Sequence, residues 1–258
     1  MQQDVTVAIP SLDGDGLEDT LYSILATEPS EIILITIDAN LEKAKNMVKK
    51  MMTNKIRVLS VAQPNKRRQM VRAIPEITTK ITIFADDDVT WPETLLPRML
   101  APLESGEFGG VGTNQRVRRA ENATFMQRIW NFYGAIYLTR RNWDCTACNY
   151  LDGGLPCLSG RTVAYRTKII SDDAFINGFT NEAWGLTGNY QLNADDDNFI
   201  TRWLVSNGWK IAFQNHKDAE VLTDLEDNPK YLLQCLRWAR SNWRSNITSM
   251  FFEGHVWW

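Results

Sequence analysis

Apolar and polar residues alternate in blocks along the first hundred positions of the chain. Four apolar runs, each six to eight residues long and rich in Ile and Val, have the length and composition of buried strands. They are VTVAIP (5–10), EIILITI (31–37), KIRVLSVA (55–62) and KITIFA (80–85). A segment with helical character follows each run, at 16–27, 41–52, 66–74 and 93–100. Strands that alternate with helices predict an α/β fold with a mostly parallel central sheet flanked by helices.

A polar segment follows each of these strands at its carboxyl end. The four segments are PSLDGDG, DAN, QPNKRR and DDD. In a doubly wound sheet, ligands bind in the crevice beyond the carboxyl ends of the strands. We therefore expect all four segments to face one crevice.

The second half of the chain has a less regular pattern. Its predicted elements are a strand entering a turn at 108–117, a long aromatic helix at 121–141, a loop after LPCLSGRTVAYR (155–166), a helix within 195–209, short strands at 210–214 and 219–223, and a basic amphipathic helix at 228–246. There is no internal repeat and no low-complexity linker. We therefore expect residues 1–258 to form a single domain.

Composition narrows the class of protein. Apolar residues make up 44% and charged residues 23% of the 258 positions, which is typical of a soluble globular protein. The net charge of −3 leaves no overall positive field for nucleic acid, although basic clusters stand at 65–68 and 116–119. No stretch has the length of a transmembrane helix, and no signal peptide pattern is present. Cys145 and Cys148 have zinc-like spacing but lack a second pair, so we expect reduced thiols.

Two runs of three aspartates are unusual, because adjacent carboxylates repel one another. The run 86–88 ends the fourth strand, and the run 195–197 opens a predicted helix. Each run has a structural explanation. The run 86–88 could be a solvated turn in which one aspartate caps the next helix, and the run 195–197 could reflect the preference of acids for a helix N-terminus. Each run also has a functional explanation. The first could form a Mg²⁺ or Mn²⁺ site that holds a diphosphate, and the second could supply a general base that deprotonates a hydroxyl. The two runs together, with the basic cluster at 65–68, favour the functional pair.

Seven segments occur in a characteristic order: VAIPSLD, TIDAN, NKRR, FADDDVTW, LSGRTVAYR, NADDDNFITRW and QCLRW. In this order they resemble the processive family-2 glycosyltransferases, the group of hyaluronan, chitin and cellulose synthases. The closest resemblance is to hyaluronan-synthase-like and fungal type-2 polysaccharide synthases, and it runs from about residue 4 to 245. A single D-x-D motif is weak evidence, whereas the ordered set ending in Q-x-x-R-W is specific.

The resemblance implies a GT-A fold, which is Rossmann-like, and a UDP-sugar donor. It assigns these residues to the donor site: Pro10, Asp38, Lys66, Arg67, Asp86, Gln234 and Arg237. Asp38 matches the family acid at the uridine, and Lys66 and Arg67 match a K-R motif near the nucleotide. Asp86 and Asp88 match the D-x-D that holds Mn²⁺ or Mg²⁺, with Asp88 the more direct metal ligand. The Arg237 guanidinium suits a diphosphate because it can bind two oxygens at once.

The resemblance also assigns an acceptor site. Ser159, Gly160 and Arg161 of SGRT match the segment beside the acceptor sugar. Trp238 matches the tryptophan that stacks under the acceptor, a role that suits an indole ring.

The catalytic base belongs to the second aspartate run. The family pattern is an acid pair, two residues, an apolar residue, two more residues and an arginine. Counting back from Arg202 through Phe199 selects Asp196 as the base. Compared with the family pattern, this chain has one extra residue before Gly208, and a shift by one residue leaves Asp197 as the alternative.

Family members are membrane proteins whose helices form a channel for the polymer, and this chain shows no such helix. We expect either the catalytic domain of a longer protein, at the cytoplasmic face of a membrane, or a soluble relative. Residues 1–115 would be the nucleotide-binding half and 116–258 the acceptor-binding half. Trp238 and Trp243 are expected to pack in the core. Phe251, Phe252, Trp257 and Trp258, with Arg240 and Arg244 upstream, are expected to form a membrane interface.

The favoured function is that of a metal-dependent inverting glycosyltransferase that acts on a polysaccharide or oligosaccharide acceptor. The first alternative is a non-catalytic nucleotide-sugar-binding or regulatory module of the same fold. A nucleic-acid binder is the second alternative, and the net charge opposes it. The sequence leaves the sugar, the acceptor, processivity and oligomeric state open.

Overall fold

A central sheet organises the molecule, which the computed structural model describes over residues 4–12, 16–119, 122–184 and 190–254. The strands are β1 (Val5–Pro10), β2 (Glu31–Ile37), β3 (Ile56–Val61), β4 (Ile81–Ala85), β5 (Val89–Thr90), β6 (Phe108–Thr113), β7 (Gln115–Val117), β8 (Thr162–Arg166), β9 (Ala183–Trp184), β10 (Tyr190–Gln191), β11 (Lys210–Gln214) and β12 (Val221–Thr223). Seven of them form the central sheet in the order β11-β6-β8-β4-β1-β2-β3. A three-stranded sheet, β5-β12-β7, and the pair β9-β10 complete the described strands.

The helices lie between these strands in the chain. They are α1 (Leu17–Ala26), α2 (Leu41–Lys50), α3 (Lys66–Ala73), α4 (Leu95–Leu100), α5 (Phe125–Asp152), α6 (Thr167–Ile170), α7 (Asp173–Asn181), α8 (Asp196–Ser206) and α9 (Lys230–Ile247). A π-helical turn, Thr248–Glu253, continues α9.

Both faces of the central sheet are buried, which explains why its strands read as continuous apolar runs. On one face, Val7 and Ile9 of β1 pack in a cluster with residues of α1, α2 and α4. On the other face, Ala8 packs in a cluster with residues of α3, α7 and α8. The predicted α/β architecture is therefore confirmed, and the four N-terminal strands lie where the sequence placed them.

Strand β8 is the exception to the parallel order and the strand that matters most for the site. It pairs antiparallel with both β4 and β6. The register sets Thr162, at the start of β8, opposite Ala85, at the end of β4. The segment 159–161 therefore lies beside the first aspartate run, at the carboxyl edge of the sheet.

Helix α5 is longer than predicted, because it continues through the segment 142–152. A capping box of Thr124 and Gln127 starts it, and Gly153, with φ 77°, ends it. Two asparagines in the extension bind strand edges. Asn142 bonds the backbone N–H and C=O of Gln115, and Asn149 bonds the C=O of Ile211 and the N–H of Phe213. These contacts hold the extension against β7 and β11, although its residues have low helix propensity.

The C-terminal aromatic residues differ from expectation at two positions, since Trp238 is only half-buried and does not belong to the core. Trp243 is 69% exposed, so the prediction that it packs in the core is wrong. Phe251 and Phe252 are 70% and 76% exposed, while Trp257 and Trp258 lie outside the described residues. Among the helices of the described residues, none is long and apolar enough to cross a membrane.

Candidate active site

The first aspartate run follows β4 directly, and its three side chains have different surroundings. The backbone N–H of Asp86 donates to the C=O of Arg161 at 3.0 Å, and its Oδ1 accepts from Lys66 Nζ at 2.7 Å. Asp88 Oδ1 is buried and has no hydrogen-bond partner. Burial, reinforced by the charge of Asp86, raises the pKa of Asp88 to about 7. Asp88 is therefore neither solvated nor a helix cap, because Thr94 stands at the N-cap position of α4.

A divalent cation fits the donor chemistry at Asp88. An unpaired buried carboxylate oxygen is costly, and a cation would satisfy it. Within the described ranges, no group of three or more His, Cys, Asp or Glu side chains is arranged to hold a metal ion. Asp86 and Asp88 could supply the one or two carboxylates that hold Mg²⁺ together with substrate phosphates in many proteins.

Lys66, the first residue of α3, joins the two aspartate runs. Its Nζ lies 2.7 Å from Asp86 Oδ1 and 3.2 Å from Asp196 Oδ2. Burial alone would lower the pKa of Lys66, but the charges of Asp196 and Asp86 outweigh it and raise that pKa well above its usual value. The side chain is about one-third exposed, which leaves the ammonium accessible at the edge of the cavity.

Arg67 points away from this cavity. It is 2% exposed, and its guanidinium lies against the rings of Phe179 and Phe199. Its Nη2 pairs with Glu182 and also donates to the C=O of Ala194 and of Asp195, at 2.8 and 3.1 Å. Arg67 therefore holds the loop before α8, and it lines neither the cavity around Lys66 nor the neighbouring cleft.

The second aspartate run spreads its three carboxylates in different directions. Asp195 adopts a left-handed backbone, with φ 67°, and bonds Ser241 and Arg244 of α9. Asp196 faces Lys66 and is 8% exposed. Asp197 Oδ2 accepts from the N–H of Gly160 at 3.4 Å. Burial raises the pKa of Asp197, and the neighbouring charge of Asp196 raises it further.

The segment 159–161 closes the site between the two runs. A Cβ on Gly160 would lie 3.2 Å from Lys66 Nζ and 3.3 Å from Asp196 Oδ2, so the absence of a side chain allows this close approach. Arg161 Nη1 donates to Gln115 Oε1 at 3.0 Å, and Arg161 Nε donates to Thr223 Oγ1 at 3.1 Å. Ser159 is buried beside Arg161.

Helix α9 supplies the wall opposite the sheet. Arg237 is exposed and lines the cavity together with Trp238. Trp238 stacks on Tyr137 of α5, with 4.8 Å between the ring centroids, and the Arg161 guanidinium lies 5.4 Å from the Trp238 ring. Gln234 Oε1 is buried and has no hydrogen-bond partner.

A polar cavity of about 330 Å³ lies between these elements, and neither Asp88 nor Gln234 lines it. Its lining includes most of the predicted site residues: Lys66, Asp86, Ser159, Gly160, Arg161, Asp196, Asp197, Arg237 and Trp238. A neighbouring cleft is lined by Pro10, Gln69 and Asn193 and shares Lys66 and Asp86 with the cavity. Asp38 lines neither space; its Oδ1 accepts from Ser60 at 2.6 Å beyond the end of β2.

The family is established by comparison with known proteins. The family model described as "Glycosyltransferase like family 2" matches residues 2–241. The chain belongs to glycosyltransferase family 2.

Two curated relatives match this chain over nearly its whole length. A "Type 2 glycosyltransferase" of Zymoseptoria tritici is 62% identical over 257 residues, which cover 99% of this chain and 53% of that protein. An "NDP-glycosyltransferase" of Aspergillus luteorubrus is 30% identical over 255 residues, with coverage of 96% and 62%. This chain spans about half the length of the type 2 glycosyltransferases that it matches.

Solved structures show that the fold of this family-2 chain is GT-A-like. A mannosyltransferase of Pyrobaculum calidifontis, solved in complex with GDP-Man and Mn²⁺, superposes with a TM-score of 0.68 at 16% identity. That match covers 97% of this chain and 65% of the other. Glucosyl-3-phosphoglycerate synthase of Mycobacterium tuberculosis, solved with Mn²⁺, UDP and phosphoglyceric acid, gives 0.54 at 14% identity, with coverage of 95% and 78%.

Helix α5 adds a face to the cavity of this family-2 chain that sequence reasoning missed. The cavity-lining residues from α5 are Tyr137, Arg140, Arg141 and Asp144. Their spacing of three, one and three places them on one helical face, a signal that was available in the sequence. Arg140 pairs with Asp144 at 2.6 Å, and Arg141 donates to the C=O of Cys157 at 2.8 Å.

Proposed function

We propose that this chain is the catalytic domain of a metal-dependent, inverting glycosyltransferase that transfers a sugar from a UDP-sugar to an acceptor hydroxyl. The observation that carries this proposal is the meeting of Asp86, Lys66, Asp196, Arg237 and Trp238 at one cavity. The Asp86 carboxylate would hold the cation that binds the diphosphate. The Asp196 carboxylate would accept the proton of the acceptor hydroxyl, and the Trp238 indole would pack against a sugar face.

The donor would occupy the cleft and the adjoining part of the cavity. Pro10, Gln69 and Lys66 line this path, and Arg237 would bind the diphosphate from the α9 side. Asp88 and Asp86 would hold Mn²⁺ or Mg²⁺, which supplies positive charge to the leaving diphosphate. Asp38, just after β2, lines neither space, so it would bind the uridine only where the donor extends beyond the cleft; Ser60 donates to its carboxylate. Gln234 would assist from α9. Arg67 would act indirectly, through the loop before α8.

The transfer step needs one proton acceptor. An Asp196 carboxylate oxygen would take the proton from the acceptor hydroxyl while that oxygen forms its bond to the anomeric carbon. The bond between the anomeric carbon and the diphosphate oxygen breaks in the same step, and UDP leaves. Attack from the face opposite the leaving group inverts the anomeric centre. Asp197 is the alternative base, because burial raises its pKa and its Oδ2 accepts only a long bond, 3.4 Å, from the Gly160 N–H.

The acceptor would lie along Trp238, Tyr137 and the segment Ser159–Arg161. The stacked rings of Trp238 and Tyr137 provide an apolar surface that suits a sugar. On this division, residues 1–115 would bind most of the nucleotide and 116–258 would bind the acceptor, while Arg237 and Gln234 of the second half would reach the donor diphosphate.

A growing polysaccharide, as in hyaluronan-synthase-like enzymes, is the acceptor class that the ordered motifs favour. We propose a membrane interface at the C-terminal end, where Trp243, Phe251 and Phe252 are exposed. Arg240 remains available for anionic headgroups, whereas Arg244 pairs with Asp195. Co-sedimentation with anionic vesicles tests this interface: a Phe251→Ser/Phe252→Ser variant should bind less than the unchanged chain.

A nucleotide-release screen tests the activity itself. The chain is incubated with a panel of UDP-sugars and GDP-sugars, oligosaccharide acceptors and Mn²⁺ or Mg²⁺, with EDTA as the control. We expect release of UDP that EDTA suppresses, and inversion seen in the anomeric signals of the product. Binding of UDP-sugars without release would instead indicate a non-catalytic nucleotide-sugar-binding module.

A further inference from the structure

Asp195 stands directly before the base candidate and also lines the cavity, but its carboxylate binds helix α9. Its side chain is 7% exposed and pairs with Arg244 Nη2 and with Ser241 Oγ, both in α9. Asp196, the next residue, faces Lys66 instead. The left-handed backbone of Asp195, with φ 67°, separates the directions of these two neighbouring side chains.

The same left-handed conformation is uncommon for residues other than glycine and needs support from its surroundings. That support comes from two sides. Arg67 donates to the C=O of Ala194 and of Asp195, and Ser241 also accepts from Asn198 Nδ2 at 3.1 Å. The backbone on both sides of Asp196 is therefore tied to α3 and to α9.

Helix α9 carries other parts of the site on the same face. Trp238 precedes Ser241 by three residues, and Ser241 precedes Arg244 by three. Residues three apart are neighbours on a helix surface. One rigid helix therefore carries Trp238, on the proposed acceptor side, together with Ser241 and Arg244, which bind Asp195.

We propose that Asp195 is a positioning residue: by binding Ser241 and Arg244 it fixes the distance between the base Asp196 and the α9 residues Arg237 and Trp238. This inference rests on the proposed function, because it gives Asp196 the role of base. Without the Asp195 contacts, the start of α8 could rotate relative to α9. Misplacement of a reacting group by about 1 Å costs roughly 100-fold in rate.

The first test is Asp195→Asn, since asparagine tolerates the left-handed backbone but carries no charge for Arg244. We expect kcat for UDP release to fall about 10–100-fold. The affinity for UDP with Mn²⁺, measured by calorimetry, should stay within about twofold, since Pro10, Lys66 and Asp86 are untouched. Asp173→Asn, an exposed acid in the first turn of α7, is the matched control and should leave both quantities unchanged.

The second test separates positioning from stability. In an Asp196→Asn background, Asp195→Asn should cause little further loss of kcat, because the base that it positions is already absent. Arg244→Lys keeps the positive charge and should retain more activity than Arg244→Gln. Unchanged kcat in Asp195→Asn, or full additivity with Asp196→Asn, would overturn the proposal. A wild-type chain that releases no UDP would instead contradict the proposed function.

Discussion

The N-terminal half of the chain (residues 4–115) and its C-terminal half (116–254) build their sides of the cavity in different ways. In the N-terminal half, Pro10 and Asp86 stand at or just beyond the ends of adjacent parallel strands, where backbone pairing fixes their positions. In the C-terminal half, pairing of β8 places the segment 159–161, but side chains fix the helices: Asp195 binds α9, and Trp238 stacks on Tyr137 of α5.

This difference indicates where the site tolerates change. Strand pairing is shared by many backbone groups, so one substitution rarely displaces a strand end. A side-chain contact depends on two residues, and losing either one releases the element. The C-terminal half should therefore be the more sensitive to single substitutions that do not touch a ligand.

The largest effect on stability is expected at Arg67, which ties the halves together. Arg67→Met removes the buried ion pair with Glu182 and leaves the C=O groups of Phe179 and Ala194 without this donor. We expect unfolding free energy to fall by about 3–5 kcal/mol in urea titrations. Arg68→Met, at the exposed neighbouring position, should cost less than about 0.5 kcal/mol. Equal stability of the two variants would mean that the halves are not joined through Arg67.

Asp88→Ala tests the N-terminal side of the cavity. The substitution removes the carboxylate whose Oδ1 is buried and unpaired. We expect UDP affinity in the presence of Mn²⁺ to fall at least about 100-fold, since even residues that only orient metal ligands contribute 10–100-fold. Calorimetry with Mn²⁺ and with EDTA measures this, with Asp173→Ala as the control. If Asp88→Ala binds UDP as tightly as the wild type, the cation site lies elsewhere.

Arg237→Lys tests whether α9 reaches the donor. Lysine keeps the charge but loses the planar pair of donors that binds two phosphate oxygens. We expect a loss of about 1.5–3 kcal/mol of transition-state stabilisation, measured as kcat/KM for UDP release. Arg240→Lys, one turn along α9 and exposed, provides the comparison. Wild-type kinetics in Arg237→Lys would remove Arg237 from the diphosphate site.

Gly160→Ala should have the smallest effect. A Cβ at this position would approach Lys66 Nζ to 3.2 Å and Asp196 Oδ2 to 3.3 Å, so both groups must shift slightly. We expect kcat to fall up to about 10-fold, less than for a full 1 Å displacement. Gly106→Ala, where a Cβ meets no atom within 4 Å, should be neutral. A neutral Gly160→Ala would show that the contact between Lys66 and Asp196 tolerates movement.

The sequence predicted the N-terminal half well, because its elements follow simple periodicities. The apolar runs place β1 to β4 almost residue by residue. Of the polar segments after them, residues 13–15 lie outside the described residues, and the segment 38–40 lines neither the cavity nor the cleft, so the four segments do not all face one crevice. The ordered motifs also selected nine of the nineteen residues that line the cavity, from Lys66 to Trp238.

Tertiary contacts account for what the sequence did not predict. The extension of α5 depends on Asn142 and Asn149 binding strand edges, and no local pattern announces such contacts. The K-R motif predicted two similar roles, yet Lys66 faces the cavity and Arg67 is buried, because they stand on different faces of α3. The left-handed backbone of Asp195, which separates three adjacent acids, is likewise visible only in the fold.

Turnover by Asp196→Asn tests most directly whether the two halves form one catalytic site. The measurement is the rate of UDP release at saturating donor and acceptor, combined with calorimetric UDP affinity in Mn²⁺. We predict a fall in kcat of about 10²–10⁴-fold with UDP affinity unchanged, because the base acts on the acceptor while the N-terminal half holds the nucleotide. If Asp196→Asn releases UDP at the wild-type rate, the role given to Asp196 is contradicted. A fall in kcat in Asp197→Asn would then assign the base to Asp197, and unchanged kcat in both variants would assign it to neither.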